Sequence, residues 1–191
     1  MKARYEELWQ IRAKFLLHTF QVKSRLDRDS SLRLIRGELR PINPVAFHYN
    51  LGSVPRDLMP TSAVGRYLLR ERIFDMFCAE AFTGWLSYPV AIAGKDNEEL
   101  MGYRGLQITG RAGEPDLSRG VLLPHVPGTL VQRRGLFFRD DVWDGSDLFL
   151  CNLRVCVTDR VRAALESFGV DNIEFVRLDA VKMVAAPPPS T

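Results

Sequence analysis

Between Tyr5 and Val22 the apolar residues Tyr5, Leu8, Trp9, Ile11, Phe15, Leu16 and Phe20 recur at helical spacing, with Glu7, Gln10, Lys14, His18 and Gln21 on the opposite stripe. The spacing predicts an amphipathic helix of about five turns. Its apolar face needs a cover, either the rest of the chain or a second copy in a homodimer. Leu32 to Leu39 alternates as a short strand would, and Pro41, Pro44, Asn50, Gly52, Pro55 and Pro60 then mark a loop wrapped over the surface. Thr61-Ser62 offers N-cap hydroxyls for a helix over Ala63–Phe82. Val64, Leu68, Leu69, Ile73, Phe74, Met76, Phe77 and Cys78 cover most of that helix, the mark of a central core element stopped by Gly84.

Leu86–Ala93 and Tyr103–Thr109 read as strands either side of a turn at Gly94-Lys95-Asp96-Asn97, and Val121–Leu123 and Leu136–Phe138 as two short ones. The clearest pattern lies in the last third. An acidic turn, Arg139–Asp147, leads into a strand over Leu148–Val157, where Leu153, Val155 and Val157 alternate with Arg154 and Cys156. Thr158 stands at an N-cap position, and Val161, Ala164, Leu165 and Phe168 make one helix face. Gly169 suits a left-handed C′ residue, and Ile173 and Phe175 line a closing strand. A strand, helix and strand so close together predict a right-handed crossover. The expected fold is therefore α+β: a mixed or antiparallel sheet packed by a central helix, with an amphipathic N-terminal helix and a C-terminal strand–helix–strand unit. Its organisation divides into a basic helical arm over 1–40, a single domain over 41–183 and a flexible tail over 184–191.

The length of 191 residues is enough to bury a core, and 46% apolar with 26% charged residues is an ordinary globular balance. The net charge of +3 hides an asymmetry. Residues 1–40 hold ten basic groups against five acidic, whereas the remainder holds 16 against 18. A basic segment attracts anions, but no helix-turn-helix, zinc finger or aromatic-interleaved basic strand accompanies it, so nucleic acid is not an expected partner. Cys78, Cys151 and Cys156 make neither a disulfide framework nor a CxxC pair. Without a spanning apolar run or a leader-like segment, the expectation is a cytoplasmic protein with no membrane partner.

Catalytic chemistry is not written in the sequence. His18, His48 and His125 stand apart, and GxSxG, Walker, GxGxxG and HExxH patterns are missing. The densest polar cluster is Asp140, Asp141, Asp144 and Asp147 around Trp143, with Arg133 and Arg134 just before it. Those carboxylates fit a turn that satisfies backbone amides, a patch facing a partner, or a metal or acid–base site. The calcium-loop spacing fails at Val142, and no metal or cofactor is expected.

Tyr88-Pro-Val-Ala-Ile, Tyr103-Arg-Gly-Leu-Gln-Ile-Thr-Gly-Arg, Gly135-Leu-Phe-Phe, Trp143-Asp-Gly-Ser-Asp-Leu-Phe, Val157-Thr-Asp-Arg-Val-Arg-Ala-Ala-Leu-Glu and Asn172-Ile-Glu-Phe follow one another in an order that resembles bacterial immunity-type proteins found beside polymorphic toxins. These include immunity protein families eleven and forty-three and the myxobacterial double-CxxCG group. The likeness runs over residues 86–178, and the chain lacks both cysteine pairs of the last group. The resemblance implies a non-enzymatic protein that binds and neutralises a cognate toxin, through Asp140, Asp141, Trp143, Asp144, Asp147, Arg133 and Arg134 on the reading that the acidic turn faces the partner. The rival reading is an enzyme or small-ligand protein with a cleft between the Ala63–Phe82 helix and the sheet, lined by His48, Tyr49 and the Trp143 turn.

Overall fold

The computed structural model describes residues 4–63, 65–124 and 130–184. The architecture departs from one sheet under a central helix: among the described residues, four small sheets carry the chain, with three short α-helices between them. The expected N-terminal helix is absent. A 3-10 turn at Tyr5–Glu7 leads into strand β1 (Leu8–Ala13), and β2 (Gln21–Ser24) follows. Leu8 belongs to one core cluster while Trp9, Ile11 and Ala13 pack on another, and these few apolar residues, joined to Phe15, Leu16 and Phe20 beyond the strand, imitate a helical stripe. Residues 1–40 are thus not a helical arm. Because β1 is interior to a sheet, no helical stripe is left for a dimer.

Leu32–Leu39 is not a strand. It overlaps α1 (Arg28–Ile35), capped by Asp27, whose Oδ1 accepts from Ser30 N at 2.8 Å. The proline-marked stretch is not all loop, since it holds β3 (Val45–Leu51) and β4 (Leu58–Pro60). The latter ends a sheet, where Pro60 can lack a donor without cost. The helix expected over Ala63–Phe82 is half strand. β5 (Tyr67–Arg70) runs straight into α2 (Glu71–Ala79). Leu68 and Leu69 point into different cores, whereas Ile73, Phe74, Met76 and Phe77 face one, and joining the two patterns imitates a helix apolar all round. Burying those four helix side chains contributes about 1.5–3 kcal/mol each.

The Leu86–Ala93 run is cut at Pro89 into β6 (Trp85–Tyr88) and β7 (Val90–Ala93), which join different sheets. β8 (Tyr103–Ile108), β9 (Gly110–Arg111), β10 (Val121–Leu122) and β11 (Gln132–Arg134) follow. Leu136–Phe138 is buried but not a strand, because its backbone groups go elsewhere. Leu136 N donates to Leu178 O, and the Tyr5 hydroxyl accepts from Phe138 N and donates to Phe138 O. Leu148–Val157 is a hairpin, β12 (Leu148–Cys151) and β13 (Arg154–Thr158), turning through Asn152 and Leu153 at φ +46° and +61°.

α3 (Asp159–Ser167), β14 (Ile173–Arg177) and β15 (Lys182–Val184) complete the chain. Residues 185–191 of the expected tail lie outside the described residues, as do Val64 and His125. The main sheet has the order β14-β1-β13-β12-β9, with β1 antiparallel to both β13 and β14. The strand–helix–strand at the end is therefore a parallel pair with β1 inserted between its strands. The other sheets are β10-β11-β15, β2-β3-β7 and β4-β5-β8-β6. Gly84 locks two of them together. At φ +85°, a Cβ on it would lie 2.0 Å from Leu148 O, so no larger residue fits the crossing.

Five carboxylates are held below their ordinary range by hydrogen bonds: Asp27 by the amide of Ser30, Glu98 by backbone amides of its own turn, Asp116 by Ser118, Asp141 by Arg139 and Asp159 by Arg162. A folded value below the unfolded one adds stability that is complete above about pH 5 and is lost as pH falls below about 4. Urea midpoints at pH 7 and pH 3 are expected to differ, with the lower at pH 3.

Candidate functional site

The acidic turn is not a uniform patch. Asp147 fastens three elements. Its Oδ2 accepts from Thr83 N and Oγ1 at 3.0 and 3.1 Å, its Oδ1 accepts from Thr158 Oγ1 at 3.2 Å, and Arg160 stands 3.6 Å away. The Thr158 hydroxyl is committed to Asp147 and makes no side-chain cap on α3. Asp144 closes the turn itself, accepting from Arg111 N at 2.8 Å and Ser146 N at 3.0 Å. Asp140 lies 3.8 Å from Arg119, and Asp141 pairs with its exposed neighbour Arg139 at 2.5 Å. Asp144 and Asp147 therefore hold backbone, and Asp140 and Asp141 are answered by arginines of the same chain.

Trp143 packs its ring against Phe138 and Phe149, with centroids 6.3 and 5.4 Å apart, and its buried indole N–H has no acceptor among the described residues. It also lines a cleft of about 630 Å³ with Arg4, Glu7, Asp147, Asp159 and Arg160, where both signs of charge alternate. Neither His48 nor Tyr49 lines this cleft. They lie on β3, where Tyr49 packs against the Phe47 cluster and Trp143 against the Phe138 cluster, so the structure does not gather them round one cleft. Cys151 and Cys156 are buried, and burial pushes the Cys151 thiol up to about 12 and raises that of Cys156. Neither offers a thiolate near neutrality. Among the described residues no three His, Cys, Asp or Glu side chains gather as metal ligands, and no helix is long and apolar enough to cross a membrane.

Arg133 and Arg134 stand apart from the acidic turn, on β11, and they differ. Arg133 Nη1 donates to Leu117 O and Gly120 O at 3.1 and 3.0 Å, tying β11 to the preceding loop. Arg134 is exposed and sits in register between Val121 on β10 and Lys182 on β15. Residues paired across strands share a face, so Val121, Arg134 and Lys182 form one row, and Gln132 and Val184 the next. Val121 is 54% and Val184 58% exposed, and neither cation forms an ion pair among the described residues. Val121, Lys182 and Val184 are not legible as site residues in the sequence, because strands of two and three residues show neither their pairing nor which face they expose.

No known protein-family profile matches the chain, and no curated protein matches it.

Proposed function

We propose that this is a non-catalytic immunity-type protein that binds and neutralises a cognate toxin, and that the exposed face of β10-β11-β15 meets an acidic, partly apolar surface of that toxin. The shared residue order through Trp143–Phe149 and Asn172–Phe175 supports the first half. The observation that carries the second is the Arg134–Lys182 pair. Like charges directly opposite on neighbouring strands are unfavourable, and these two lack a carboxylate among the described residues. A partner's carboxylates would relieve the repulsion, while Val121 and Val184 supply apolar contact and Arg134 a residue type enriched at binding hot spots. Asp140 and Asp141 are already answered by Arg119 and Arg139, so of the charges at these positions it is that of Arg134 that stands unpaired among the described residues.

The test is growth of cells expressing the candidate toxin domain drawn from the genes flanking that of this chain. Co-expression of the chain is expected to restore growth, and the double change Arg134→Glu with Lys182→Glu to abolish that protection while circular dichroism stays native. Protection that survives the charge reversal would sink the assignment of this face. Failure of the unaltered chain to protect would sink the immunity reading.

A further inference from the structure

Arg66 is 2% exposed and is the largest of the fully buried side chains. It forms no ion pair among the described residues, and the residues outside that description include no Asp or Glu. Its Nη1 donates to Ser31 Oγ at 3.0 Å and its Nε to Thr61 Oγ1 at 3.3 Å, while Nη2 has no hydrogen-bond partner among the described residues. The guanidinium lies 5.4 Å from the centroid of the Phe47 ring. A buried charge without a counter-ion is costly to the fold. Burial accordingly loosens the hold of Arg66 on its proton, and the neighbouring Tyr88 hydroxyl is itself buried with no hydrogen-bond partner among the described residues.

Arg66 forms one wall of a cavity of about 400 Å³ between α1, the end of β2 and the β12–β13 turn. Ser24, Ser31 and Ser62 line it, and the Ser24 hydroxyl is buried with no hydrogen-bond partner among the described residues. The aliphatic side chains of Leu32 and Leu153 line it as well. Leu153 holds a left-handed backbone that glycine would adopt without strain in such a two-residue turn, so an aliphatic wall is kept there at a cost. The cavity thus combines the buried guanidinium of Arg66, the exposed Arg28, three hydroxyls and a greasy side.

We propose that this cavity binds a small organic anion, a carboxylate or phosphate on a short aliphatic body. Arg66 is its charge partner, with Ser24, Ser31 and Ser62 donating to the remaining oxygens. The planar fork of a guanidinium matches both oxyanions, and the volume is that of a small-ligand site. The site shares no residue with the β10-β11-β15 face, so it stands or falls separately from the toxin reading.

Calorimetry and thermal denaturation of the full chain test it, with octanoate, inorganic phosphate and octylamine as probes. Octanoate is expected to bind and to raise the Tm, phosphate to bind about tenfold more weakly for want of a body, and octylamine not to bind. Arg66→Met is expected to weaken octanoate about thirtyfold or more while the ligand-free Tm holds or rises, because the uncompensated charge is gone. Ser24→Ala, which leaves Arg66 in place, is expected to weaken octanoate about threefold to tenfold and keeps the test open should Arg66→Met not fold. The proposal is overturned if neither anion binds at up to about 10 mM. It is equally overturned if phosphate or octylamine matches octanoate, or if Arg66→Met and Ser24→Ala bind octanoate like the unaltered chain. A purely structural arginine gives a different pattern: Arg66→Met lowers the Tm and no anion moves that of the parent.

Discussion

Replacing Asn172 with alanine is expected to lower stability by about 3–4 kcal/mol, measured by urea denaturation, because two buried backbone groups lose their only partners at once. Asn172 is 0% exposed, and its side chain behaves as a stray peptide unit. Oδ1 accepts from Leu58 N at 3.0 Å, and Nδ2 donates to Leu58 O at 2.5 Å. Its own carbonyl accepts from Lys14 N at 2.8 Å. One residue therefore ties the start of β4 to the approach of β14 and to the chain leaving β1. Asn172→Asp keeps the shape but sets an acceptor against Leu58 O. Its carboxyl would hold a proton longer in the folded state than in the unfolded one. That variant is expected to be nearly as stable as the parent below about pH 4 and to lose stability as pH rises through the ordinary carboxylate range. A loss under about 1 kcal/mol for Asn172→Ala would show that the Leu58 groups find other partners.

The four aspartates of the acidic turn are expected to separate sharply when each is changed to alanine. Asp147→Ala should cost about 2–3 kcal/mol, since it removes the acceptor for Thr83 and Thr158 and the neighbour of Arg160 together. Asp141→Ala should stay within about 0.5 kcal/mol, because an exposed pair with Arg139 contributes little in water. Hydrogen exchange should report the difference locally, with the amides at the start of α3 losing protection in Asp147→Ala alone. Equal effects at both positions would contradict the division of the turn into a structural half and a solvent half.

Those four residues look alike in sequence, and their separate roles come only from what the fold brings to them. Thr83 is 64 positions away from Asp147. The strand at Tyr103–Ile108 is legible as a β-rich run between Gly102 and Gly110, and the helix ahead of Gly169 from one clear period and a stop residue whose φ is +75°. Leu8–Ala13 and Tyr67–Arg70 are not, because each strand is short and its apolar residues fall in step with those of the segment that follows, so the joined run imitates a helix. Leu153 was counted as an apolar strand residue and is instead half of a turn. Arg66 gave no signal, since a lone arginine in an apolar run reads as a helix surface position until the fold encloses it. Of the residues assigned to the partner, Arg134 lies on an open cationic face. Asp144 and Asp147 are occupied with backbone and side-chain hydrogen bonds inside the chain.

The affinity of the toxin domain proposed as partner for the full chain, compared with Arg134→Glu/Lys182→Glu, is the most direct test of the proposed binding face. Calorimetry at about 50 and 300 mM salt is expected to show binding that weakens with salt for the parent, and about hundredfold weaker binding for the variant with a flatter salt dependence. Equal affinity and equal salt dependence for the two proteins would contradict it.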